Sequence, residues 1–155
     1  MGHAVLFVCT ANICRSPMAE GALRKRLERA GCADTVRVAS AATHDYHVGE
    51  PAFSTAVETA RARGYDISGH VARMIAPADC ERYSAILAMD RFNLASLRTI
   101  APARSRNRIE LLLDYGERYH GLDVPDPYGR TPADFEMALN MIEDGCRGLI
   151  ELLVR

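Results

Sequence analysis

Cys9 and Arg15, separated by five residues in Val8-Cys9-Thr10-Ala11-Asn12-Ile13-Cys14-Arg15-Ser16-Pro17, are the side chains best spaced for chemistry in this chain. A cysteine is a nucleophile only as thiolate, and a free thiol with pKa near ~8.5 is mostly protonated at neutral pH. A nucleophilic Cys9 therefore needs anion-stabilising surroundings. An apolar run, Ala4 to Val8, leads into the segment, and Ser16-Pro17 leads out as a helix start. The unpaired N–H groups and positive dipole end of that helix favour an anion. Five intervening residues can wrap a loop around a tetrahedral dianion while the planar Arg15 guanidinium grips two of its oxygens. Residues Thr10, Ala11, Asn12, Ile13 and Cys14 would form that cradle, and the geometry suits phosphoryl transfer to sulfur.

The elements that must position this loop read as alternating strands and helices. Ala4 to Cys9 is a continuous apolar run, as expected of a strand covered on both faces. A helix follows, with Ser16 as its cap, Pro17 in its first turn, an apolar stripe at Ala19, Ala22, Leu23, Leu27 and Ala30, and Gly31 as its end. A second strand is expected near Thr35 to Ala39, ending at Ser40, and a second helix from Pro51 to about Arg63. Between Tyr65 and Arg82 the pattern gives only a turn around Gly69 and a helical turn after Pro77. Tyr83 to Met89 reads as strand three, ended by Asp90, which caps a helix from Arg91 to about Ile100. Ile109 to Leu113 makes a short fourth strand, and a long loop from Asp114 to Arg130 carries Pro125-Asp126-Pro127-Tyr128-Gly129. The last helix is capped by Thr131, with Pro132 in its first turn and apolar residues from Phe135 to Leu153 at helical spacing.

This alternation predicts an α/β fold: one domain over residues 1–155, a four-stranded parallel sheet with helices on both faces, in a flavodoxin-like three-layer arrangement with the anion loop after strand one. Ligands of such sheets bind beyond the carboxyl ends of the strands. Cys9, Ser40, Asp90 and the loop carrying Asp126 all fall at that edge, whereas Arg98, Arg104, Arg106 and Arg108 precede strand four and are expected at the opposite edge as solvated surface.

Composition narrows the function classes. A length of 155 residues with 48% hydrophobic and 25% charged residues fits one globular domain, and a net charge of −1 gives no electrostatic case for nucleic acid. Five cysteines, an odd number without the spacing of a disulfide framework, fit a reducing cytoplasmic setting. No apolar run approaches membrane-spanning length, and Leu6 stands where acylation of Gly2 would require Ser or Thr, so neither membrane insertion nor a lipid anchor is expected. Oligomeric state is not legible.

The ordered motifs resemble the low-molecular-weight protein tyrosine phosphatases along the whole chain. That family's signature is Cys, five residues, Arg, Ser near the N-terminus and a downstream Asp-Pro-Tyr, here Cys9 to Ser16 and Asp126-Pro127-Tyr128. Ser40-Ala41, Val48-Gly49, His70-Val71-Ala72-Arg73 and Met89-Asp90 are similar landmarks in the right order. The resemblance implies that Cys9 is the nucleophile, Arg15 the clamp for substrate and transition state, and Asp126 the general acid, with no metal or cofactor. It implies that Ser16 hydrogen-bonds the Cys9 sulfur and that Asn12 shapes the loop through a network with Ser40 and His70, with Asp90 as a further supporting residue. Tyr46 and Tyr128 would wall a slot for a phosphotyrosine ring of a protein substrate, and Cys14 could form a reversible protective disulfide with Cys9. The chain departs from common family residues at Tyr46, often Trp, at Gly129, often aromatic, and at Ala11 and Ala42, often Gly.

Three other readings compete. A thioredoxin-coupled arsenate reductase needs a further redox cysteine pair, and Cys80 has no cysteine near it, while Cys32 and Cys146 read as packing residues. Phosphoarginine hydrolysis goes in related enzymes with Thr where Ile13 stands. A non-catalytic phosphopeptide-binding module would leave Cys9, Arg15 and Asp126 together unexplained. A zinc site at Cys9 and Cys14 lacks further ligands.

Overall fold

Val5, Leu6, Phe7 and Val8 have no solvent-accessible surface, so the first strand is covered on both sides. In the computed structural model, which describes residues 3–155, β1 spans His3–Cys9 and pairs in parallel with both β2, Val36–Ala42, and β3, Ala85–Ala88. β4, Ile109–Leu111, completes a sheet of order β2-β1-β3-β4. Gly2 lies outside the described residues.

Alternation along β1 divides the core in two, because successive side chains point to opposite faces. Val5, Phe7 and Cys9 join the layer formed by α1, Arg15–Arg29, α2, Ser54–Ala62, and the long C-terminal helix. Leu6 and Val8 face the other layer, where Cys80 of α3, Asp79–Arg82, and Leu97 of α4, Arg91–Ile100, are buried. The C-terminal helix α5, Pro132–Leu153, packs on α1 through its apolar stripe. Its glycines allow close approach: a Cβ on Gly148 would stand 1.8 Å from the Tyr115 carbonyl oxygen. That contact fixes the 3-10 turn Leu112–Tyr115, from which the Asp126 loop departs.

The structure shifts several expected boundaries, each for a local reason. α1 starts at Arg15 with Cys14 in the capping position, so Ser16 lies inside the first turn and is not the cap. β2 runs through Ser40 to Ala42 because β1 continues to Cys9, which pairs with Ala42. α2 starts at Ser54 and not Pro51, which is held in a bridge to Val71, while Phe53 N–H donates to the Ile13 carbonyl at 2.9 Å. β3 is shorter than Tyr83 to Met89, since Ser84 is tied instead to the backbone of Ala4. β4 stops at Leu111, where the Asp114 carboxylate accepts from the Leu111 N–H at 3.3 Å and folds the next residues into the 3-10 turn. Asp90 caps α4 as expected, accepting from Asn93 N–H at 2.8 Å. Arg104 and Arg108 are more than solvated surface: Arg104 pairs with Glu81, and Arg108 donates to the carbonyls of Cys80, Glu81 and Tyr83.

Candidate active site

The loop from Cys9 to Arg15 closes around a buried asparagine. Asn12 has φ 60°, a left-handed conformation that Asn tolerates better than other side chains. Its backbone N–H thereby donates to Cys9 Sγ at 3.3 Å. Its Nδ2 donates to both Ser16 Oγ, at 2.8 Å, and Ser40 Oγ, at 2.9 Å, and its Oδ1 accepts from Arg73 N–H at 3.0 Å. His70 Nε2 lies 2.7 Å from the Asn12 carbonyl, which can only accept, so this nitrogen carries the hydrogen. Ser40 in turn donates to Glu20 Oε1 at 2.6 Å. Ser16 Oγ lies 2.9 Å from Cys9 Sγ.

Arg15 is held by Asp90, which follows β3, and by the loop that carries Asp126. Although it is 2% exposed, its Nη1 donates to Asp90 Oδ2 at 2.6 Å and to the Val124 carbonyl at 2.9 Å, and Nη2 lies 3.8 Å from Asp126 Oδ2. Burial alone would lower its pKa, but Cys9, Asp90 and Asp126 more than offset that and hold the guanidinium above its ordinary value. Asp90 is fixed by α4: the Asn93 amide, oriented so that both of its ends are satisfied, donates to Asp90 Oδ1 at 2.9 Å and accepts from Thr10 N–H at 3.2 Å. Cys14 is buried, and its pKa is pushed far up by that burial and by the nearby Cys9 and Asp126, against a lowering by Arg15. It is a thiol at neutral pH.

Cys9, Ile13, Arg15, Tyr46, Asp126 and Tyr128 line one cavity of 190 Å³. Asp126 is half exposed at its mouth, in a turn where its Oδ1 accepts from Tyr128 N–H at 3.1 Å. Tyr128 packs edge-on against Phe53, with ring centroids 5.2 Å apart. A larger cleft of 490 Å³ lies behind the loop, lined by Glu20, Ser40, His70 and Arg73; it faces the supporting side chains, whereas the smaller cavity opens on Cys9 and Arg15.

A model of the low molecular weight phosphotyrosine protein phosphatases matches residues 4–155. The chain belongs to the low-molecular-weight protein tyrosine phosphatase family. It is 39% identical over 153 residues to the low molecular weight protein-tyrosine-phosphatase of Streptomyces coelicolor, across 97% of this chain and 93% of that one. To YfkJ of Bacillus subtilis, a low molecular weight protein-tyrosine-phosphatase, it is 37% identical over 147 residues, 95% of this chain and 93% of that one. The protein tyrosine phosphatase of Entamoeba histolytica, solved with Hepes in its active site, superimposes with a TM-score of 0.94 at 31% identity, covering 98% of this chain and 97% of that one.

Within this phosphatase fold the expected residues converge: Thr10, Ala11, Asn12, Ile13 and Cys14 form the loop, and Ser40, His70 and Asp90 contact it or its arginine. Reasoning from sequence missed His47, which lines the cavity near Tyr128, and also Glu20, Asn93 and the Val124 carbonyl. Asn93, three residues after the capping Asp90, carried no signal beyond its place in a helix. Glu20 lay on the polar side of a helical stripe, where a carboxylate is ordinary. Among the described residues, no group of three or more His, Cys, Asp or Glu stands ready to hold a metal ion, and no helix is long and apolar enough to cross a membrane.

Proposed function

We propose that residues 1–155 form one domain that hydrolyses phosphotyrosine in proteins, and small aryl phosphates, through a phosphocysteine on Cys9. The observation that carries this reading is the sulfur's set of partners. Cys9 Sγ meets the Asn12 N–H and the Ser16 hydroxyl, beside an arginine that Asp90 and Val124 hold rigidly. One Ser16 lone pair is taken by Asn12, which leaves the hydroxyl hydrogen free for the sulfur. These donors and the start of α1 stabilise the thiolate that attacks phosphorus. Loop N–H groups and Arg15 hold the equatorial oxygens, where most catalysis of phosphoryl transfer arises.

The S–P bond forms as the P–O bond to the tyrosyl oxygen breaks, and that oxygen takes a proton from Asp126. Phenol has a pKa near ~10, so protonating the leaving phenolate lowers the barrier. The Asp126 carboxylate then takes a proton from water, whose oxygen attacks the phosphocysteine; phosphate departs and the sulfur leaves as thiolate, supported by Ser16. Tyr46 and Tyr128 flank the ring, and Ile13, which also lines the cavity, favours an aryl group. Cys14, a neutral thiol of the same loop, serves as the resolving partner of an oxidised Cys9. All five cysteines are free, in keeping with action in a reducing cytoplasm. The arsenate reductase reading is disfavoured, because Cys80 lies in the core on the other face of the sheet and Cys146 is buried in α5.

A panel of phosphotyrosine, phosphoserine and phosphoarginine peptides, with arsenate plus thioredoxin alongside, tests the assignment. Hydrolysis confined to phosphotyrosine is expected; faster release of phosphate from phosphoarginine, or arsenate turnover, would overturn it.

A further inference from the structure

From the cavity wall runs a row of three aromatic rings, of which only the first, Tyr46, belongs to the phosphotyrosine slot. Tyr46, at the cavity wall, stacks on His44 with centroids 5.1 Å apart and planes at 26°. His44 stacks on its other side against Phe92, at 5.6 Å and 15°. Both outer rings face solvent, Tyr46 being 65% exposed and Phe92 59%. The fold has no need of Phe92 there, since α4 buries Asn93 and Leu97 and not this ring.

The row is also fixed relative to the phosphate loop. His44 N–H donates to the Thr10 carbonyl at 3.0 Å, and its Nδ1 is hydrogen-bonded to Thr43 Oγ1 at 2.8 Å. Phe92 sits in the first turn of the helix whose capping residue, Asp90, holds Arg15. An exposed apolar surface built on rigid supports and continuous with a binding cavity marks an interaction site.

Resting on the phosphotyrosine phosphatase reading, we propose that the Tyr46–His44–Phe92 row is a subsite for an apolar side chain next to the phosphotyrosine of the substrate, and that Phe92 determines sequence preference. The occupant is the substrate's own chain, because Tyr46 belongs to both the cavity and the row. An extended peptide advances about 3.4 Å per residue, so the successive ring-to-ring steps of 5.1 Å to His44 and 5.6 Å on to Phe92 place the contacting side chain within about three positions of the phosphotyrosine. Aliphatic and aromatic side chains fit the flat faces of these rings.

The test uses phosphotyrosine peptides with alanine at all flanking positions, and partners carrying one Leu or Phe at each of the three positions on either side. In the wild type at least one position is expected to raise kcat/KM about three- to tenfold, the range of an aromatic contact. Phe92→Ala should abolish that gain, Phe92→Tyr should keep it, and p-nitrophenyl phosphate, too small to extend past Tyr46 to Phe92, should be hydrolysed equally by all three. Equal rates on every peptide, or a gain that survives Phe92→Ala, would overturn the subsite while leaving the phosphatase reading standing. Failure of the wild type to cleave p-nitrophenyl phosphate and every peptide would overturn both.

Discussion

Replacing Asp90 separates the holding of Arg15 from the holding of the fold. The Asp90 carboxylate does two things with two oxygens: Oδ2 accepts from Arg15 Nη1 at 2.6 Å, and Oδ1 caps α4 through Asn93 N–H at 2.8 Å. Asp90→Asn keeps an oxygen for the cap and removes the charge facing a guanidinium that is 2% exposed. A hydrogen bond to a charged group contributes about 1.5–3 kcal/mol. If Arg15 needs that bond to present its free edge to the transition state, kcat/KM on p-nitrophenyl phosphate falls about 10- to 150-fold. Asp90→Ala loses the cap as well, so it should show a similar kinetic loss and be less stable than Asp90→Asn by about 1 kcal/mol in urea unfolding. Steady-state kinetics and unfolding curves on the same preparations decide the matter. An Asp90→Asn enzyme within threefold of wild type would refute the positioning role, since the Val124 carbonyl would then suffice to hold Arg15.

Other consequences can be checked independently. Asp126→Asn should slow phosphotyrosine peptides by roughly a hundredfold or more, and p-nitrophenyl phosphate, with its better leaving group, much less; equal losses on both would remove Asp126 as the proton donor. Asp144, on α5, accepts from the N–H groups of Glu117, Arg118 and Tyr119. Burial by itself would raise its pKa, but those bonds and Arg147 bring it below the ordinary carboxylate value. Its stabilisation is therefore present above the unfolded value and lost as pH falls through the lower folded one. Asp144→Asn should cost about 1–3 kcal/mol near neutral pH, with the gap to wild type narrowing as the pH falls below the unfolded carboxylate value of about 3.9; a gap that stays constant on both sides of that value would contradict the ionised role.

The layers of the fold were legible because β1 is apolar without interruption and the long C-terminal helix repeats its stripe cleanly, and both patterns survive in the structure. Strand ends were less legible, since pairing partners and not composition decide them: Ser40 looked like a terminus, but Cys9 pairs with Ala42 beyond it. The site divided in the same way. Cys9, Arg15 and Ser16 lie in one short segment and are readable from its spacing. Ser16 as a cap was a local inference that failed because the loop draws its hydroxyl toward the sulfur. Glu20, Asn93 and Val124 act on the loop only through three-dimensional proximity, and Val124 does so through a backbone carbonyl that no side-chain pattern encodes.

The central claim is that the phosphoryl group passes through the Cys9 sulfur. Rapid quenching of wild-type turnover of p-nitrophenyl phosphate, followed by peptide mass spectrometry, reads this directly. The expected result is one phosphoryl group on Cys9, absent in Cys9→Ser, a variant that should still bind vanadate but not turn over. A phosphoryl group on any other residue, or near-normal turnover by Cys9→Ser, would contradict it.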